Sequence, residues 1–206
     1  MYNKWMILKL TRNNHIEAIN SAISVLKGGG IVAYPTETFY GLGAGYDNGA
    51  AVDKLYRLKQ RPKGKAMPLI IGSMDQLDLL TDAVSESARE LMQRYWPGPL
   101  TLIFAARPGL PAYIVSESRV AVRIPGESFA LELAVASGFP ITATSANISG
   151  MPPAGDAPAV LNYFDGRLDL IIDGGGTDAS APSTIVDVTG TQPVLLRKGA
   201  VDILLP

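Results

Sequence analysis

Short apolar runs of strand length, each stopped by proline or glycine, alternate along this chain with segments of helical period. That interleaving narrows the fold more than any other feature of the sequence. Residues 15–27 place Ile16, Ile19, Ala22, Ile23 and Leu26 on one helical face, and Gly28-Gly29-Gly30 ends the segment. Ile31–Tyr34 follows as a buried strand halted by Pro35. Ala50–Gln60 is a second helix with Val52, Leu55, Tyr56 and Lys59 along one side; Arg61 precedes Pro62 and is biased toward extended backbone, so the helix stops there. Pro68–Ile71 reads as a strand, and Ser73 with Gln76 as a capping box opening a short helix through Leu80. Ser85–Tyr95 and Phe129–Ala136 read as helices, as does Pro158–Phe164. Strands are expected at Leu100–Ala105, Val120–Ile124, Ile141–Thr144, Leu168–Asp173, Thr184–Val188 and Pro193–Arg197. Helices and strands that intermix in this way give an α/β fold: a single domain over residues 1–206, built on a twisted mixed β-sheet flanked by helices.

Two residue counts prune the chemistry. The 206-residue chain has no cysteine, which removes disulfides, thiolate nucleophiles and Cys-ligated zinc. It has one histidine, His15, so histidine-clustered metal sites and a Ser-His-Asp triad lack their parts. His15 itself reads as a surface or cap residue, and Trp96 as a buried indole in the rigid turn Trp96-Pro97-Gly98-Pro99. No protein metal site is expected. What is left is Lys, Arg, Ser, Thr, Asn, carboxylates and backbone amides. That set suits the handling of phosphates and nucleotides, with magnesium held by the phosphates. No apolar run approaches the ~18 residues of a membrane span, and the start MYNKWMILKL reads as no signal peptide. The absence of cysteine fits a cytoplasmic location. Net charge is −1, so no global basic footprint marks a nucleic-acid binder. Six of the 18 basic residues nevertheless crowd between Lys54 and Lys65.

Three segments combine chemistry-bearing side chains. In extended chain, Lys59 and Arg61 point to one side and can clamp one polyphosphate, the lysine as a point charge and the arginine as a fork. A solvated basic helix end, favoured by the helix dipole, explains the same residues. Thr144-Ser145-Ala146-Asn147 follows an apolar strand, the place where open α/β sheets bind ligands. A turn rich in Ser, Asn and Gly for backbone reasons is the plainer reading. Pro35-Thr36-Glu37-Thr38-Phe39-Tyr40-Gly41 also follows a strand, but neither P-loop nor Rossmann spacing is present. Here Thr36 and Tyr40 suit a small polar substrate, and Glu37 is a base, a magnesium contact or a surface charge. Arg123, inside the apolar strand Val120–Ile124, needs a carboxylate, either the protein's or a ligand's. Arg197 poses the same question, and Ser183-Thr184 is a further hydroxyl pair at a strand edge.

Taken in order, GGGIVAYPTETFYGLG (28–43), LKQRP (58–62), YWPGPLT (95–101), VAVRIP (120–125), PITATSANISG (140–150) and STIVDV (183–188) resemble the YrdC-type threonylcarbamoyl-AMP synthase family in its short, single-domain form. The likeness covers residues 12–203, and the pairs Lys59/Arg61 and Ser145/Asn147 match the family's signature. The resemblance implies a large, positive, concave cavity. It also implies synthesis of threonylcarbamoyl-adenylate from L-threonine, bicarbonate and ATP with release of pyrophosphate, magnesium accompanying ATP. The product would serve threonylcarbamoylation of adenosine 37 in tRNA, after hand-over to a TsaD/TsaB/TsaE-type transferase complex. The longer form of the family carries a further C-terminal domain, for which this chain is expected to have no room.

By the same resemblance, Lys59 and Arg61 are the catalytic pair. They hold the nucleotide with Thr144, Ser145, Asn147 and Arg197, while Thr36, Tyr40, Arg123 and Ser183 hold threonine. Three positions depart from the family's pattern: Met67 where His or Asn is common, Glu127 where His is common, and Lys198 where Pro is common. Two other functions stay open at this point. One is a non-catalytic module that binds double-stranded RNA or tRNA in the same basic cleft; the other is a carbamoyl-adenylate domain, which normally sits in a larger chain rich in cysteine. Gly174-Gly175-Gly176 also suits a hinge for a loop over residues 174–182.

Overall fold

The protein is described, over residues 6–177 and 181–205, from a computed structural model. In chain order the elements are β1 (Met6–Lys9), α1 (His15–Lys27), β2 (Val32–Tyr34), β3 (Gly41–Gly43), α2 (Gly49–Lys59), β4 (Leu69–Ile70), α3 (Met74–Leu77), α4 (Glu86–Tyr95) and β5 (Leu100–Ala105). They continue with β6 (Arg119–Arg123), α5 (Phe129–Ser137), β7 (Ile141–Thr142), β8 (Thr144–Ser145), α6 (Ala157–Phe164), β9 (Leu170–Asp173), β10 (Thr184–Asp187) and β11 (Val194–Arg197). The mixed α/β architecture expected from the interleaving is present. The strands, however, divide between two sheets, β1-β9-β2-β3-β8 and β11-β10-β5-β6-β4-β7.

Both faces of the five-stranded sheet are covered, which explains its uninterrupted apolar runs. Successive strand residues point to opposite faces. Val32, Tyr34, Leu170 and Ile172 therefore join Ala18, Ala22 and Leu26 of α1 and Leu133 of α5 in one core. Ala33 and Ile171 join the other and larger core, with Val52 and Leu55 of α2 and Phe164 of α6. Over β10, β5 and β6 the six-stranded sheet uses only one face in this way, while Ile70 of β4 and Ile141 of β7 join the smaller core. Leu100, Leu102, Phe104, Val120, Val122 and Val186 enter the larger core. The alternate residues Thr101, Ile103, Ala121, Arg123 and Ile185 face a cavity instead.

The two sheets meet at one stretch of chain. β7 pairs with β4 in the six-stranded sheet, and β8, one residue later, pairs with β3 in the five-stranded sheet. Residues 141–145 are thus two short strands on two sheets, where the sequence suggested one. Ala143 N–H donates to Pro68 O (2.8 Å) and Thr142 N–H to Ala44 O (2.9 Å), so the crossing leaves its backbone groups paired.

Two strands gave no sequence signal. β1 lies in an exposed N-terminal edge, and β3 is Gly-Leu-Gly, of low strand propensity. β3 exists because the Tyr34 ring of the neighbouring strand lies across both glycines: a Cβ on Gly43 would sit 2.8 Å from Tyr34 Cε1 and 2.7 Å from Ile141 Cγ2. Helix ends follow their caps more closely. Ser85 Oγ accepts from Ala88 N–H, Asp156 Oδ1 from Ala159 N–H, and Asn48 Oδ1 from Ala51 N–H. The expected capping box at Ser73 does not form. Gln76 Oε1 instead accepts from Gly72 N–H and its amide donates to Ala134 O, because Gly72 packs directly on the α5 backbone. The Trp96 indole is half-buried and donates to Leu100 O at 2.7 Å. His15 opens α1 and pairs with Glu132 of α5 at 2.7 Å.

Candidate functional site

The uncommitted face of the six-stranded sheet, the Thr36–Gly41 segment and the β8 end of the five-stranded sheet enclose a cavity of about 330 Å³. Its charged lining residues among those described are Arg61, Arg123 and Arg197, with no carboxylate among them. Hydroxyls of Thr36, Thr38, Thr101, Thr144, Ser145 and Ser183 make up much of the remaining polar wall. Such a surface offers donors and positive charge to a poly-anionic ligand.

Eight of the ten site residues expected from sequence line this cavity: Thr36, Tyr40, Arg61, Arg123, Thr144, Ser145, Ser183 and Arg197. Lys59 and Asn147 do not; both are buried behind the wall. The extended geometry assumed for Lys59 and Arg61 is absent. Lys59 is the last residue of α2, on its buried stripe, and Gln60 takes a left-handed conformation (φ 50°) that closes the helix. Arg61 is thereby turned away from Lys59 and into the cavity.

Lys59 is spent inside the protein. Its Nζ donates to Asn147 O (2.8 Å), to Asn147 Oδ1 (3.1 Å) and to Ser145 O. An ammonium has three donors, and all three have partners here. Asn147 is equally committed. Its Oδ1 also accepts from Ser145 Oγ at 2.6 Å, and its amide donates to Met151 O. The two signature pairs are therefore bonded to each other, and what they present to the cavity is Arg61 and Ser145. Burial, aided by the Arg61 charge, holds the Lys59 ammonium down to about 7.

The three arginines are braced differently. Arg61 donates from Nη2 to Ala66 O (2.8 Å) and from Nε to Lys65 O (3.1 Å). Arg123 is buried on β6 and ion-paired with Glu37 at 2.9 Å, so the protein carboxylate anticipated as one of its two possible partners is present. Arg197 reaches back from edge strand β11 to Ser183 O (2.7 Å from Nη2) and Ser183 Oγ (3.1 Å). Burial lowers the affinity of Arg61 and Arg197 for their protons, and Arg123 adds to the effect at Arg197. An anion among these groups would relieve that like-charge crowding.

Tyr40 lines the cavity but its hydroxyl is already used. It donates to Gly175 O (2.7 Å) and accepts from Gly174 N–H (3.1 Å), tying the loop after β9 to the wall; burial pushes the phenol up to about 12. Residues 178–180 of the hinge loop expected from sequence lie outside the described residues. Thr36 Oγ1 accepts from Thr38 N–H (3.0 Å) and donates to Phe39 O (2.7 Å), which fixes the turn. Sequence reasoning missed Tyr34 and Thr101. Tyr34 read as an apolar strand residue, and only the pairing of β2 with the glycine strand turns it to the wall. Thr101, hydrogen-bonded to Ser183 at 2.9 Å, is found only once β5 and β10 are neighbours.

Among the departures from the family's pattern, Met67 is a core residue and does not line the cavity. Glu127 lines a separate, more open hollow with Glu37 and His15. Lys198 pairs with Asp202 on the surface at 2.9 Å. No group of three or more metal-ligating side chains occurs among the described residues. No helix among the described residues is long and apolar enough to cross a membrane.

The sequence matches the Sua5/YciO/YrdC family, described as telomere recombination, over residues 24–199. It is 42% identical over 185 residues to a threonylcarbamoyl-AMP synthase of Bacillus subtilis, covering 89% of this chain and 54% of that protein. It is 38% identical over 192 residues to a threonylcarbamoyl-AMP synthase of Klebsiella pneumoniae, covering 91% of this chain and all of that protein. The crystal structure of Pyrococcus abyssi Sua5 complexed with L-threonine superposes with a TM-score of 0.88 at 39% identity, over 94% of this chain and 57% of that one. The chain thus spans about half the length of the Bacillus and Pyrococcus proteins.

Proposed function

The chain belongs to the Sua5/YciO/YrdC family, and on that footing we propose that it is an L-threonylcarbamoyladenylate synthase, a nucleotidyltransferase that consumes L-threonine, bicarbonate and ATP. The observation that carries this reading is the cavity itself: three arginines, a row of hydroxyls and, among the described residues, no carboxylate, on a scaffold close to one that holds L-threonine in a relative.

In the proposed reaction the neutral amine of threonine attacks bicarbonate carbon, and water leaves to give the N-carboxylate. An oxygen of that carboxylate attacks the α-phosphorus of ATP, the bond to the β-phosphate oxygen breaks, and pyrophosphate departs. Negative charge builds on phosphorus and on the leaving group, so acceleration comes from positioning and from fixed positive charge. Arg61 and Arg197, with Thr144 and Ser145, are assigned to the nucleotide. Arg123, with Thr36 and Ser183, is assigned to threonine, Arg123 to its carboxylate. Lys59 and Asn147 hold Ser145 in place from behind. Tyr40 shapes the threonine end by fixing Gly174 and Gly175. Magnesium enters with ATP as part of the substrate, screening the phosphates.

The product would pass to a transferase complex of the TsaD/TsaB/TsaE type for tRNA modification in the cytoplasm. The test is mass spectrometry of a reaction of the purified protein with Mg·ATP, bicarbonate and L-threonine, quenched within minutes. A threonylcarbamoyl-adenylate mass that vanishes when threonine or bicarbonate is omitted is the expected result. A folded, ATP-binding protein that releases no such product would overturn the reading, and salt-sensitive binding of double-stranded RNA in its place would support the non-catalytic alternative.

A further inference from the structure

Tyr34 carries a hydroxyl that the free protein does not use. The side chain is fully buried, contributes to the cavity wall, and its Oη has no hydrogen-bond partner among the described residues. The ring cannot swing away to find one. It lies across β3, with Gly41 and Gly43 leaving just enough room for it, and a Cβ on either would come within 3.1 Å of its edge. A buried, unpaired hydroxyl is a standing penalty that a ligand can remove.

The chemistry of its surroundings selects the ligand group. Burial keeps the phenol protonated, and the charges of Arg123 and Glu37 are both felt at its oxygen. Arg123 spends Nη1 on Glu37 Oε1, the only hydrogen bond its guanidinium makes among the described residues. Tyr34 and Arg123 line the same cavity, and an unpaired O–H with a guanidinium that has donors to spare fits an anionic acceptor. An ammonium would go instead to Glu37 Oε2, a buried carboxylate oxygen that also has no partner among the described residues. We propose that Tyr34 is a further substrate-contacting residue, whose hydroxyl donates to the same carboxylate that Arg123 holds. This rests on the reading of the site as one that binds threonine.

The assignment makes an unusual combination of expectations for Tyr34→Phe. In the free protein the variant loses only an unpaired hydroxyl, so its thermal midpoint equals or exceeds that of the wild type. With L-threonine it loses a hydrogen bond to a charged group, so Kd by calorimetry, and KM for threonine in pyrophosphate release, rise about tenfold or more. KM for ATP stays within about twofold. A hydroxyl that serves structure through buried solvent gives the opposite pattern: a lowered midpoint and unchanged threonine affinity. That pattern, or wild-type affinity in Tyr34→Phe with no change in midpoint, overturns the proposal. A wild-type protein that binds no L-threonine overturns the reading of the whole site and this inference with it, and the wild-type titration alone reveals that case.

Discussion

Lys59 Nζ donates to both the backbone oxygen of Asn147 (2.8 Å) and its side-chain Oδ1 (3.1 Å), joining the end of α2 to the turn after β8. The two elements lie 88 residues apart in sequence. The contact makes the Ser145–Asn147 turn depend on a lysine that never reaches the cavity.

Lys59→Met should therefore act through the turn. The buried Asn147 O and the part-buried Ser145 O lose their donor, while Asn147 Oδ1 keeps Ser145 Oγ; each loss costs about 1–3 kcal/mol at most, partly offset by no longer burying a charge. Expected outcomes are a turnover at least a hundredfold lower and ATP affinity that falls much less than turnover, read by pyrophosphate release and by calorimetry. The pH dependence has a definite sign. Burial lowers the Lys59 ammonium from 10.5 to about 7, so between those values the unfolded chain binds a proton that the folded site gives up. Wild-type stability relative to Lys59→Met should rise with pH across that window. Thermal midpoints of the two proteins from pH 6.5 to 10 check it; a constant gap would contradict the assignment.

Arg61 reaches the cavity as a fork braced on Lys65 O and Ala66 O. Arg61→Ala should weaken ATP binding by about tenfold or more, and Arg61→Lys should recover little of it. A lysine restores the charge but not the planar pair of donors. Titration of each variant with ATP by calorimetry reads the difference.

Arg123 and Glu37 form a nearly buried pair, with side chains 10% and 14% exposed. Glu37→Ala leaves the guanidinium without its anchor and should cost about 3–5 kcal/mol of stability, as broken buried pairs do. Arg123→Met should abolish measurable L-threonine binding while ATP affinity stays within about threefold. Equal losses for both ligands would move Arg123 out of the threonine end.

Gly43→Ala tests the glycine strand. The new methyl would meet Tyr34 Cε1 at 2.8 Å, Ile141 Cγ2 at 2.7 Å and the backbone oxygen of Thr142 at 3.0 Å. Overpacking of this kind costs about 1–3 kcal/mol. It also displaces the Tyr34 ring, so urea melts should show lowered stability and L-threonine affinity should fall with it. Gly64→Ala, where a Cβ meets nothing within 4 Å, serves as the control.

The elements legible in the sequence are those whose signal is local. α1 begins at His15 and ends at Lys27 as its apolar period and triple glycine require. β5 runs from Leu100 to Ala105, as its unbroken apolar and β-branched residues indicate. The stripe Val52-Leu55-Tyr56-Lys59 on α2 placed Lys59 on the buried side; the competing extended pairing of Lys59 with Arg61 failed at one backbone angle, that of Gln60. β3 was illegible because glycines become a strand only under the Tyr34 ring, and that ring arrives from β2 through pairing.

By itself, then, the sequence determined the alternation of helices and strands, the exclusion of cysteine and clustered-histidine chemistry, and the candidate segments that hold the cavity's three described arginines. These depend on residue type and on spacing along one segment. Tertiary structure decided which signature residues face the ligand and which stand behind them, the division of strands between two sheets, and the pairing of Arg123 with Glu37. Each of those is a contact between segments far apart in the chain, fixed by how strands choose neighbours and by where a buried donor finds its acceptor.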